Sequence, residues 1–136
     1  MTAFSAIDIG RTGVGFSSKW VDTIAHNIAN VSTEVPGDEE PFRERMLVAR
    51  ALTDEIVPSG SGVATEAVVE RDEEPITLYQ PDHPLADEDG YINKPNVDLA
   101  GQLADLMVAQ RSYQANAQSV TSAKEAYEAA LQIGQV

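Results

Sequence analysis

Ile7, Val14, Val21 and Ile28 stand seven residues apart, with Ile24 and Val31 three residues after the last two. Toward the other end Leu99, Leu103, Leu106, Tyr113, Ala117, Val120, Tyr127 and Leu131 keep the same four-and-three beat. Apolar residues at that spacing draw a seam along one side of a helix, and a seam held over several heptads calls for a partner helix. The chain therefore predicts two long terminal helices packed as a coiled-coil-like pair. A structural or interaction protein fits that pattern better than an enzyme.

The first helix is expected from about Ala3 to Asn30. At roughly 100° per residue, Asp8, Arg11, Ser18, Lys19, Asp22 and His26 share a polar side, and a second apolar ridge of Ile9, Phe16 and Trp20 runs beside the heptad stripe. The apolar arc covers about half the circumference, wider than a two-stranded seam needs, so more than one neighbour is expected. Asn27 projects on the flank of Phe16 and Trp20, where a polar amide fixes register between helices. Gly10, Gly13 and Gly15 each cost a helix about 1 kcal/mol relative to Ala. The isolated N-terminal segment is thus expected to be disordered in the free monomer and to order on assembly.

Between the helices the pattern changes. Pro36-Gly37 breaks the chain, and Phe42 to Leu52, Val63 to Arg71 and Ile76 to Tyr79 read as strands, with Ser59-Gly60-Ser61-Gly62 as a flexible connection. Pro81 to Pro95 reads as an extended, ordered connector. Asn96 is the expected N-cap of the last helix, with Gly134 as its stop. The fold class expected is mostly α with a small antiparallel β middle. Its segments are an N-terminal assembly helix (1–33), an acidic β-rich middle (34–80), a connector (81–96) and a C-terminal assembly helix (97–136). The outer face of that helix carries Ala115, Ser119, Ser122, Ala126 and Ala129, small enough for another helix to come close.

Charge is segregated. Between Glu34 and Asp89 sixteen acids face four arginines, a net of −12, whereas the rest of the chain holds six acids and five bases. Nearly neutral ends can meet copies of themselves while the acidic middle keeps the monomer soluble. Nucleic acid is excluded as a partner by sign. No apolar run spans a bilayer, and Asp8 and Arg11 interrupt any secretory signal, so neither membrane insertion nor a cleaved leader is expected.

Candidate chemistry is thin. Gly10-Arg-Thr-Gly-Val-Gly15 has the glycine spacing of a phosphate loop, but Phe16 and Ser17 stand where Lys and Ser or Thr are required, so close helix packing is the better reading. Asp82, Asp87, Glu88, Asp89 and Gly90 lack the alternating ligands of a calcium loop. His26 and His83 have no third ligand, and no serine sits in a nucleophile elbow. No catalytic residue, cofactor or metal is expected.

Three motifs resemble one family. Ala25-His-Asn-Ile-Ala-Asn30 followed by Ser32-Thr33 resembles the Asn-rich N-terminal signature of bacterial flagellar rod and hook axial proteins, with His26 as a departure. Pro84-Leu-Ala-Asp87, Gly90-Tyr-Ile and Pro95-Asn-Val-Asp-Leu99 resemble the connector of the proximal rod subunits of that family, and Arg111-Ser-Tyr-Gln-Ala-Asn116 is similar to their C-terminal helix. The acidic middle matches less well. The resemblance implies a basal-body subunit that polymerises helically with copies of itself and other rod proteins around an export channel, transmits torque across the periplasm, and leaves the cell through the flagellar type III apparatus.

On that basis Ile7, Val14, Val21, Ile24 and Ile28 are expected to pack against Leu103, Leu106, Tyr113 and Val120, partly within the chain. Phe16, Trp20 and Asn27 are expected to meet neighbouring subunits, and Asn30, Asn116, Tyr127 and Leu131 complete the expected assembly interface. Another short rod protein, or an acidic two-helix adaptor or chaperone, is the alternative.

Overall fold

A computed structural model describes residues 3–53 and 61–134. Helix α1 (Ala3–Asn30) and helix α2 (Leu99–Ile133) bracket five strands: β1 (Val35–Pro36), β2 (Arg45–Leu52), β3 (Gly62–Glu70), β4 (Ile76–Tyr79) and β5 (Tyr91–Lys94). The two long helices pack against each other, and the mostly helical fold with a small antiparallel sheet component follows the expected class. Packing divides the chain into two compact units that cut across the four sequence segments. One comprises residues 1–21, 47–67 and 107–136, the other residues 22–46 and 68–106.

In the first unit, α1 meets α2 along small residues rather than along the heptad seam. A Cβ added to Gly10 would stand 2.6 Å from Val120 Cγ2, and one added to Gly13 would stand 2.6 Å from the Asn116 side chain. Ser17, fully buried, donates from Oγ to Ser112 Oγ at 3.1 Å. As α1 advances from Gly10 to Ser17, its partners on α2 retreat from Val120 to Ser112, so the helices run antiparallel. Bare backbone at the crossing draws the axes together, and Ile7, Val14 and Val21 are left half-buried on one flank with Phe16 and Trp20 on the other. α1 thus has a partner in its own chain and is helical against it.

The first unit also holds most of the β2–β3 pair. Ser61 N donates to Leu52 O and Arg71 N to Glu44 O, both at 2.7 Å, which makes the pair antiparallel. Thr12 ties β3 to α1: its hydroxyl donates to Ile9 O at 2.7 Å and accepts from Val63 N at 3.1 Å. Gly62, at φ 119°, crosses so near Thr12 that any side chain there would collide with it. Ser59 and Gly60 of the expected connection lie outside the described residues.

The second unit contains a three-stranded sheet in the order β1-β5-β4, which the sequence reading missed. The segment taken as an extended connector supplies its central strand. Leu78 pairs with Ile92, Tyr79 with Tyr91, and Pro36 with Ile92 on the other side. Ile92 is completely buried and Gly90, at φ 85°, makes the turn into β5. Strands of two and four residues give too little alternation to register as a pattern. The cap of α2 is Asp98, not Asn96: Asp98 Oδ1 accepts from Ala100 N at 3.0 Å, whereas Asn96 Nδ2 donates to Glu74 O at 3.3 Å. Two residues beyond the cap is where a capping oxygen finds its amide.

Gly10 and Gly15 separate a packing glycine from an unconstrained one. Gly10→Ala is expected to destabilise the chain by about 1–2 kcal/mol, overpacking outweighing the gain in helix propensity. Gly15→Ala, with nothing within 4 Å of the new methyl, should stabilise it by about 0.5–1 kcal/mol. Thermal unfolding of the two variants checks the opposite signs.

Candidate assembly surface

In the second unit a chain of buried polar side chains joins both helices to the sheet segment. Asn27, only 1% exposed, donates from Nδ2 to Arg45 O at 2.8 Å and to Gln102 Oε1 at 2.9 Å, and its Oδ1 accepts from Arg45 N at 2.9 Å. Gln102 then donates from Nε2 to Glu44 Oε1 at 3.1 Å, and Arg71 Nη2 lies 3.6 Å from the same oxygen. Every buried side-chain polar atom among the described residues has a partner. Asn27 was expected to face a neighbouring subunit; instead its amide is consumed within the chain, holding α1 in register with α2 and β2.

Among the described residues Glu44 is the only buried carboxylate. Burial pushes its carboxyl above the usual range, Arg71 pulls it back, and Glu73, Asp105 and Asp98 add repulsion in the same direction as burial. Sequence reading missed Glu44 and Gln102. Gln102 carried a signal, since it precedes Leu106 and Ala109 by four and seven residues and so shares their helix face. Glu44 carried none, because an acidic residue at a strand entry is ordinarily exposed.

The expected interface residues divide by exposure. Ile24 is buried, and Ile7, Val14, Phe16, Trp20, Val21, Ile28, Leu106, Asn116, Val120 and Tyr127 are half-buried. Phe16 and Trp20 lie together, ring centroids 6.2 Å apart. Asn30 serves the end of α1, donating to His26 O at 2.8 Å, and Asn116 donates to Ser112 O at 2.9 Å on its own helix. Leu103 (47%), Tyr113 (42%) and Leu131 (49%) are exposed on α2. Exposed apolar residues of α2 that the expected interface did not include are Leu99, which belonged to the seam, and Met107 (58%), Val108 and Ile133 (78%). The small residues Ala115, Ser119, Ser122, Ala126 and Ala129 all face solvent. Among the described residues no cluster of side chains suits a metal ion, and no helix is long and apolar enough to cross a membrane. Gly10 to Gly15 are helical, and Asp87 Oδ1 accepts from Asp89 N and Tyr91 N at 3.0 and 2.7 Å, a local turn device.

Known proteins share this arrangement of sequence. A family model described as the C-terminal region of flagellar basal body rod FlgEFG proteins matches residues 88–133, which include β5 and α2. The flagellar basal-body rod protein FlgC of Salmonella typhimurium is 32% identical over 135 residues, covering 99% of this chain and 100% of the relative. The chain belongs to the FlgC family of flagellar basal-body rod proteins. FlgC of Borreliella burgdorferi is 34% identical over 150 residues, with 98% of each chain covered, and FlgC of Bacillus subtilis is 30% identical over 149 residues, covering 98% of this chain and 99% of the relative. The match to FlgC proteins runs through the acidic middle as well as the helical ends.

Two outcomes test the buried network. Asn27→Ala strands the Arg45 amide and the Gln102 carbonyl oxygen away from water, and is expected to cost about 2–4 kcal/mol in chemical denaturation. Glu44 governs a pH limb. With its folded pKa raised, the native chain holds this proton more firmly than the unfolded one. The stability from this group therefore falls as pH rises from the ordinary carboxylate range through the raised value, then stays low. Subtracting the unfolding free energy of Glu44→Gln from that of the wild type across pH should leave a difference that declines over that interval and is flat above it. A difference that rises with pH would reverse the assignment.

Proposed function

We propose that the chain is a structural subunit of the flagellar basal-body proximal rod. It polymerises helically through its terminal helices and helps form the drive shaft that carries torque and surrounds the export channel. It reaches the periplasmic side through the flagellar type III apparatus without a cleaved signal, and works beside other rod proteins rather than as an enzyme. Kinship with flagellar basal-body rod proteins supports the setting.

The observation that carries the assembly reading is what α2 leaves uncovered. With α1 already packed against it, α2 still presents Leu99, Leu103, Met107, Val108, Leu131 and Ile133 to water. Apolar residues concentrated on one long helix mark a contact surface. The half-buried ridge of Phe16 and Trp20 on α1 is a different surface. Two unlike surfaces on each subunit are what open helical growth requires, since a self-complementary patch would close into a dimer. The proposed interface therefore keeps Leu103, Tyr113, Leu131, Phe16 and Trp20, adds Leu99, Met107, Val108 and Ile133, and gives up Asn27.

Leu103→Asp tests this reading. At an exposed position it should change the stability of the isolated chain by about 0.5 kcal/mol or less, yet abolish incorporation into basal bodies and swimming. Normal motility with the variant present in rods would overturn the scheme.

A further inference from the structure

The second unit holds sixteen acids and four bases, a net of −12 of the chain's −13. Each of those four bases is already engaged: Arg43 with Glu40 and Asp72, Arg45 with Glu70, Arg71 with Glu44 and Glu73, and Lys94 with Glu34. Asp82, Glu88 and Asp89 are exposed, and no cation pairs with them among the described residues. All three lie in the 80–90 segment that joins β4 to β5, at the Tyr79–Tyr91 end of the pair.

On one face of that pair Tyr79 and Tyr91 lie across from each other, ring centroids 5.2 Å apart and planes tilted by 60°. A cross-strand aromatic contact steadies a short pair of strands. It does not require Tyr79 to keep 65%, and Tyr91 41%, of their surface in water. Tyr79 also belongs to an edge strand, paired only with β5. Paired exposed tyrosines beside a loop that carries three unpaired acids have the make-up of an interface anchor with a charged edge.

We propose that this tyrosine face is a docking surface for a lysine- and arginine-bearing surface of a different protein. Sign decides the occupant. A second copy offers either the same −12 or a first unit of net −1, neither with positive charge to spare, and nucleic acid and anionic lipid are negative. A cationic partner meets the rim carboxylates with opposite charge and stacks its guanidinium or ammonium groups on the tyrosine rings. This surface is separate from the proposed contacts between α1 and α2 of neighbouring subunits and does not rest on them.

Photocross-linking tests the proposal in the full-length chain. p-Benzoylphenylalanine replaces Tyr79, the cells that make the protein are irradiated, and the joined peptide is sequenced by mass spectrometry. The adduct should fall in a different protein, in a segment rich in Lys or Arg. Combining Asp82→Asn, Glu88→Gln and Asp89→Asn should lower its yield about tenfold, the sum of three modest rim pairs. Those three side chains hold up nothing in the fold, so thermal unfolding of the triple variant should match the parent; should it not, the parent cross-link measured in extracts at rising salt must fall instead. An adduct on a second copy, an adduct in a neutral or acidic segment, no adduct, or a yield indifferent to both charge removal and salt would each overturn the proposal.

Discussion

The closeness of α1 to α2 at Gly10 and Gly13 is the constraint from which the first unit follows. With only hydrogen on those two α-carbons, Val120 and Asn116 occupy the space where side chains would otherwise stand. Helices that approach through small residues have little apolar volume between them, so the pair is held by backbone proximity, one serine–serine hydrogen bond and the flanking ridges. Large residues such as Val14 and Phe16 are thereby pushed to the shoulders of the contact and stay half-buried. The same choice that brings the helices together leaves apolar surface beside them.

The second unit solves a different problem. Its interior holds as many polar side chains as apolar ones: Asn27, Glu44, Asn93 and Gln102 are buried beside Ile24, Pro41, Ile92 and Pro95. Asn93 is satisfied in the same thorough way as Asn27, donating to Gly37 O and Glu39 O and accepting from Thr77 Oγ1. A buried amide stabilises little in net terms but penalises every arrangement that leaves it unpaired. Such an interior specifies one geometry for short strands that have too few backbone bonds to specify it themselves. The exposed acids around it keep like units apart.

For a rod subunit of the proposed kind these properties are complementary. One unit is close to neutral and carries unsatisfied apolar surface, which favours contact between copies. The other is strongly negative and carries satisfied polar structure; it adds Leu99 and Leu103 to the exposed apolar residues of α2 and is open to a positive partner. A torque-bearing shaft also needs subunits whose internal register does not slip. Hydrogen bonds from one side chain to both the opposing helix and an adjacent strand, as at Asn27, provide that more directly than apolar packing, which tolerates sliding.

The periodicity of the chain alone determined both long helices, the antiparallel β2–β3 pair, β4, and the polar side of α1 from Asp8 to His26, because these depend on spacing along one element. It also determined the family resemblance, since motifs are carried by residue order. What only the tertiary structure decided was which face of each helix is inside. Heptad counting placed large side chains at the seam, yet the glycines won, because backbone approach is set by the smallest residues at a crossing and not by the greasiest. The partners of Asn27, the burial of Glu44 and the central place of Tyr91–Lys94 in a sheet were likewise undecidable from order alone. Each depends on residues a dozen or more positions apart being brought together, and no local pattern encodes that distance.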